Sequence, residues 1–149
     1  MHKVSVFLIS VLLPLMGMTQ TALKPPSSIF GVYGQRVPVC FNASPESKNR
    51  FDCEGETANW VLVVPTANSG VWVEVNLLLH NGHACTFQEN GQWMGDHVLL
   101  KRFDAQACAL RLRFKNGKVV LSDDGRCREQ TCGARGSYDG VSLPKRGSL

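Results

Sequence analysis

Cys127 and Cys132, separated by Arg-Glu-Gln-Thr and followed by the glycine-rich run Gly133 to Gly140, are the pair whose spacing most invites chemistry in this 149-residue chain. Two thiols so placed fit metal ligation, dithiol redox exchange or a structural disulfide. A zinc site needs about four convergent thiolate or imidazole ligands, usually in paired short spacings, and no other pair of the six cysteines lies this close. Redox pairs are typically separated by two residues, and this pair is separated by four. The staple remains. Cys40, Cys53, Cys85 and Cys108 complete an even set, which in a small exported domain favours disulfides. Six cysteines allow fifteen pairings. The expected set joins neighbours along the chain: Cys40 with Cys53, Cys85 with Cys108, and Cys127 with Cys132.

Other residues invite weaker chemistry. His80 and His83 flank Asn81-Gly82 and would share one face of a hairpin, but a third and fourth metal ligand are not evident. Asp123-Asp124-Gly125 lacks the alternating ligands and distal Glu of a calcium loop, and fits a turn. No local pattern of nucleophile and base, zinc-protease helix or phosphate loop occurs, so the expectation is a protein without catalysis and without a cofactor. Charge is uneven. Residues 23–100 carry four Lys or Arg against seven Asp or Glu, and residues 101–149 carry eleven against five, so the two parts are about −3 and +6. Arg111, Arg113 and Lys115 alternate along one strand and form either a solvated face or a surface for an anionic glycan, a lipid headgroup or a partner's carboxylates. No aromatic residues interleave this stripe for base stacking, so nucleic acid is not expected. The acidic run Asp52-Cys-Glu54-Gly-Glu56 is a solvated loop or a contact for a basic protein.

The compartment follows from the other end of the chain. One Lys3, an apolar stretch from Val4 to Met18 and the small and polar Thr19 to Ala22 have the form of a secretory signal over residues 1–22, too short to span a bilayer. A periplasmic or secreted protein without a membrane span is expected. The remainder suits one domain: an N-terminal loop at 23–31, broken by Pro25-Pro26, a β domain at 32–143, and a frayed tail at 144–149.

Strand signals dominate. Apolar alternation and turn residues predict strands near 34–41, 59–65, 71–80, 83–89, 92–101, 108–115 and 118–123. Asn-Gly, the dipeptide of type I′ hairpin turns, falls at 81–82, 90–91 and 116–117. No segment has a helical period. The expected fold is all-β, a small antiparallel meander closing into a lipocalin-like or similarly curved barrel, because closure removes exposed edges. In its last hairpin, Phe114 should face Val119 and Leu112 should face Leu121. One conflict stands out: a two-residue turn at Asn81-Gly82 puts Cys85 and Phe87 opposite the core row Val71, Val73, Val75, Leu77. Either the turn hides a bulge or the outer face is covered.

His83-Ala-Cys85-Thr-Phe87, Gly91-Gln-Trp93-Met-Gly-Asp96, Cys108 to Phe114 and the tail Cys132 to Gly140 resemble a β domain of exported bacterial proteins that are lysozyme inhibitors of the LprI type or of unknown function. The helical, cysteine-bearing segment of those longer proteins has no counterpart here. The resemblance implies a non-enzymatic binding protein that blocks a cell-wall hydrolase, such as a lysozyme or other muramidase, with a rigid loop. The loop after Cys132 would present Arg135, Ser137 and Tyr138. The alternative is a lipocalin-like carrier, with an apolar small molecule held among Val71, Val73, Val75, Leu77 and Trp93.

Overall fold

The computed structural model describes residues 23–42, 51–79, 82–102, 107–133 and 136–149. Eight strands run in order: β1 (Gly31–Asn42), β2 (Phe51–Pro65), β3 (Val71–Leu78), β4 (Ala84–Trp93), β5 (His97–Arg102), β6 (Cys108–Lys115), β7 (Lys118–Asp123) and β8 (Ser142–Gly147). A short helix, α1 (Cys127–Thr131), lies between β7 and β8. Each strand pairs antiparallel with the next and β8 returns to β1, so the expected disulfide-bearing, closed antiparallel barrel forms. The predicted signal segment, 1–22, lies outside the described residues.

Period-two patterning fills the interior. Val71, Val73, Val75 and Leu77 of β3, Leu110 and Leu112 of β6, and Val119 and Leu121 of β7 are at most 1% exposed. Phe114 faces Val119 and Leu112 faces Leu121 across the Asn116-Gly117 turn, where both turn residues hold positive φ as that turn type demands. Each such buried aliphatic side chain contributes about 1.5–3 kcal/mol of apolar burial.

Two other Asn-Gly sites depart from expectation. β3 and β4 pair with Leu77 opposite Cys85 and Val75 opposite Phe87, and Leu79 N donates to His83 O (2.9 Å). The connection is therefore 80–82, one residue longer than a two-residue turn. Because side chains alternate, that residue moves Cys85 and Phe87 onto the core face, which removes the conflict without any cover on the outer face. Asn90-Gly91 lies within β4, and the turn to β5 falls at Met94–Asp96, where Gly95 has φ 100°. Gly91 serves packing instead: a Cβ there would lie 2.5 Å from Leu100 Cδ2 and 2.6 Å from Val98 Cγ1. At the C-terminus, β8 occupies most of the stretch expected to fray, with Leu143 fully buried.

The ends of the barrel are closed differently. At the lower end, Ile29 and Phe30 pack under Tyr33, whose hydroxyl donates to Ile29 O (2.8 Å). Tyr33, Phe114 and Trp93 form a chain of tilted rings there. The upper end holds all three disulfides: Cys40–Cys53, Cys85–Cys132 and Cys108–Cys127. Only the first matches the expected set. Cys85 and Cys108 sit on β4 and β6 with β5 between them, and strands two apart are about 9.6 Å distant, beyond disulfide reach. Cys127 and Cys132 are five positions apart on α1 and its C-terminal cap, which separates them by about 7.5 Å along the axis and turns them to different sides. Each therefore reaches a separate strand. In the chain-entropy account the Cys85–Cys132 bridge, with a sequence separation of 47, contributes about 4 kcal/mol. The other two, with separations of 13 and 19, contribute about 3 kcal/mol each.

Two predictions follow from this packing. Digestion without reduction should release peptides joining Cys85 to Cys132 and Cys108 to Cys127; a peptide joining Cys85 to Cys108 would contradict the fold. Burial pushes the Tyr33 and Tyr138 phenols up to about 12. At Tyr138 the hydrogen bond with Thr131 pulls down without cancelling that rise. A folded pKa above the unfolded value of about 10 adds stability that is full below pH 10 and lost as pH climbs toward 12. These are the chain's two tyrosines, so phenolate absorbance should rise only together with loss of the β-sheet dichroism. Ionisation near pH 10 with the fold intact would contradict their burial.

Candidate functional site

The feature that stands out from the barrel is a two-stranded arm. β1 pairs with β2 from Gly31 opposite Val63 to Asn42 opposite Phe51, whereas β2 meets β3 only from Trp60 opposite Asn76 onward. Among the described residues β1 forms ladder pairs with β8 at Val32 and Tyr33 alone. From Arg36 opposite Ala58 upward, β1 and β2 therefore have only each other as ladder partners among the described residues, over about 20 Å at the usual strand rise. A free hairpin is marginal in water, and this one is held at both ends. At its root, Asn59 is buried and its amide grips the backbone of Leu78, accepting from Leu78 N (2.6 Å) and donating to Leu78 O (3.0 Å). Further out, Cys40–Cys53 ties the strands.

The sequence also guards the arm's edges. Pro38 removes a donor, and the register slips between Pro38 and Cys40 beside Gly55, whose φ of 70° suits a bulge. Arg36 pairs with Glu56 at 3.3 Å on the outer surface. Such devices discourage another strand from adding to the edge. The tip, 43–50, lies outside the described residues.

The segment after Cys132 leads to Gly140 and Val141, which lie beside Asn59 and Val37 at the arm's root. Gly133 has φ 69°, and a Cβ on it would lie 3.2 Å from His83 Nδ1. A Cβ on Gly136 would strike Cys132 Cβ at 2.6 Å, with Cys85 Sγ 3.1 Å away. Gly136 thus lets the backbone lie against the Cys85–Cys132 disulfide and Gly133 lets it lie against the His83 ring, and Gly136 N donates to Gly133 O (3.3 Å). The bracketed pair, including predicted contact residue Arg135, lies outside the described residues. Tyr138 is corrected: it is fully buried, meets Phe87 edge-on, and shares a 2.7 Å hydrogen bond with Thr131 Oγ1 while donating to Thr86 O (3.2 Å). An aromatic residue near a glycine run gives the same signal for anchor and contact, and here it anchors. Ser137 is half-buried, with its Oγ accepting from Asp139 N (3.1 Å).

The basic stripe lies on the outer wall of β6, away from the arm. Arg111 is half-buried between the strand positions of Leu99 and Ser122, and Lys115 stands opposite Lys118 at the hairpin tip. Arg113 lies 3.6 Å from Asp96. Asp96 also meets His97 (2.6 Å), and that hydrogen bond above all, with help from Arg113, holds its carboxyl below the usual range. Asp96 therefore interrupts the positive field that alternation alone implied. Of the predicted contacts among the described residues, only Arg111, Arg113 and Lys115 share a face, and sequence reasoning missed the arm. Its signal was present in Pro38, Gly55 and a cysteine pair spanning a polar stretch.

Among the described residues no group of three or more His, Cys, Asp or Glu side chains is placed to hold a metal ion. His80, of the predicted histidine pair, lies outside them. No helix among them is long and apolar enough to cross a membrane. Comparison with protein-family models, with curated proteins and with solved structures finds no match to this chain.

Proposed function

We propose that this chain is an exported, non-catalytic binding protein that blocks a cell-wall hydrolase such as a lysozyme, and that the stapled upper end makes the contact. The observation that carries this reading is the arm: two strands with no other ladder partner among the described residues beyond Arg36 and Ala58, tied by Cys40–Cys53 and clamped by Asn59. A projection ordered before binding does not spend affinity on ordering itself. The acidic residues Asp52, Glu54 and Glu56 lie on β2 in the arm. Their charge suits a partner with a basic surface. Arg135, named as a contact from the sequence alone, remains part of the proposal.

The compartment in this proposal, periplasmic or secreted, is supported by three disulfides and by the signal pattern of residues 1–22. The carrier reading draws no comparable support. The row it needs as a cavity lining, Val71, Val73, Val75 and Leu77, is packed to 1% exposure or less against the other strands.

Immobilised muramidases should retain the protein, and micromolar protein should lower their hydrolysis of cell walls. Cys40→Ser/Cys53→Ser should keep the barrel, lose about 3 kcal/mol of stability at most, and weaken inhibition at least tenfold. Absence of both retention and inhibition would overturn the hydrolase reading. Undiminished inhibition by the double variant would remove the arm from the contact.

A further inference from the structure

The barrel wall has a hollow where β1 leaves β8. Tyr33 points inward, so alternation turns Val32, Gly34 and Arg36 outward, opposite Leu62, Trp60 and Ala58. Gly34 and Ala58 supply almost no side-chain bulk between Val32, which is 38% exposed, and the half-buried Trp60. The result is a hollow of about 530 Å³ lined by these residues with Arg36 and Arg146. That is the volume of an ordinary small-ligand site. A Cβ on Gly34 would lie 3.4 Å from Trp60 Cβ, so the floor stays at backbone level beside the indole.

Two cations border this hollow. Arg146 Nε donates to Gly34 O (2.7 Å), which fixes the guanidinium against the floor while its terminal nitrogens have no other partner among the described residues. Arg36 is paired with Glu56, but both groups are well exposed, so the pair is weak and exchangeable for another carboxylate. Guanidinium forks recognise planar anions bidentately. An indole face accepts a flat, partly apolar ring through dispersion and apolar burial.

We propose that this hollow is a binding site for a carboxylate-bearing sugar ring, stacked on Trp60 with its carboxylate held by Arg146 and Arg36. A pyranose has the flat C–H face and polar rim that fit an open wall with Gln35 at its margin. A purely apolar ligand would cover the Arg146 guanidinium without supplying its terminal nitrogens with a partner. The site does not depend on the hydrolase reading, and failure of inhibition leaves it standing.

The test uses the full chain, titrated with uronic acid oligosaccharides, with glycan fragments bearing muramic acid, and with neutral N-acetylglucosamine oligomers. At least one acidic probe should shift the Trp60 indole N–H resonance saturably, leave those of Trp72 and Trp93 in place, and bind at least tenfold more tightly than the neutral oligomer. Which acidic probe does so identifies the source of the ring. Arg36→Gln should weaken binding about tenfold, whereas Glu56→Gln, which frees Arg36, should tighten it several-fold. Ala58→Phe fills the hollow from an exposed strand position and should abolish binding with the melting temperature unchanged. Equal binding of the neutral oligomer, no binding of any probe at millimolar concentration, or a folded Ala58→Phe that binds normally would overturn the proposal.

Discussion

The short seam between β1 and β8 is the constraint on which the rest of this structure depends. Eight strands can bury their ladder groups in a ring only if the last returns to the first, and here it does so through Val32 opposite Gly147 and Tyr33 opposite Lys145. The seam works because the backbones come unusually close. A Cβ on Gly31 would sit 2.0 Å from Gly147 O, and with φ 143° that position strains any other residue. Side chains reinforce it: Lys145 Nζ donates to Ser28 O (2.7 Å) and lies over the Tyr33 ring, and Arg146 reaches Gly34 O.

A seam that short has two consequences, one on each side. Above it, β1 is released from β8 and carries β2 along as an arm, which the barrel core no longer supports and which therefore needs Asn59 at its root and a disulfide beyond. Beside it, the outer wall keeps no large side chain at Gly34 or Ala58, and Trp60 is left facing Arg146 across a hollow. The remaining disulfides serve the same end of the molecule. They tie α1 to β4 and β6, so that the long connection from β7 to β8 delivers β8 to the seam at a fixed place.

Patterns within a single strand or a single turn were legible in the sequence. The alternation of Val71 to Leu77 and of Cys108 to Phe114 identified the core face, and Asn116-Gly117 identified both the turn and its register. What depended on contact between distant segments was not. Gly91 has the sequence context of a turn residue, yet it is small because Leu100 and Val98 pack across it. One extra residue at 80–82 reversed the facing of Cys85 and Phe87, a parity that local propensity does not encode. Ser142 to Gly147 contains Pro144, Lys145 and Arg146 and has little strand propensity, so only closure onto β1 makes it a strand. Cys40–Cys53 was read correctly, but the other two disulfides were not, since proximity along the chain says nothing about which strands α1 lies against. In the candidate site, Tyr138 carried a valid signal with the wrong meaning, and the hollow joins residues of β1, β2 and β8 that only the barrel brings together.

This account separates a barrel closed by its core and seam from an arm that depends on its own staple. Residue-resolved amide hydrogen exchange, compared between the native chain and one in which Cys40–Cys53 alone is removed, tests that separation most directly. The amides of Val61, Val73 and Leu112 should keep the same slow exchange in both, while those of Val39, Cys53 and Thr57 should accelerate by at least an order of magnitude. A uniform acceleration across barrel and arm would contradict the account, and so would an arm whose protection does not change.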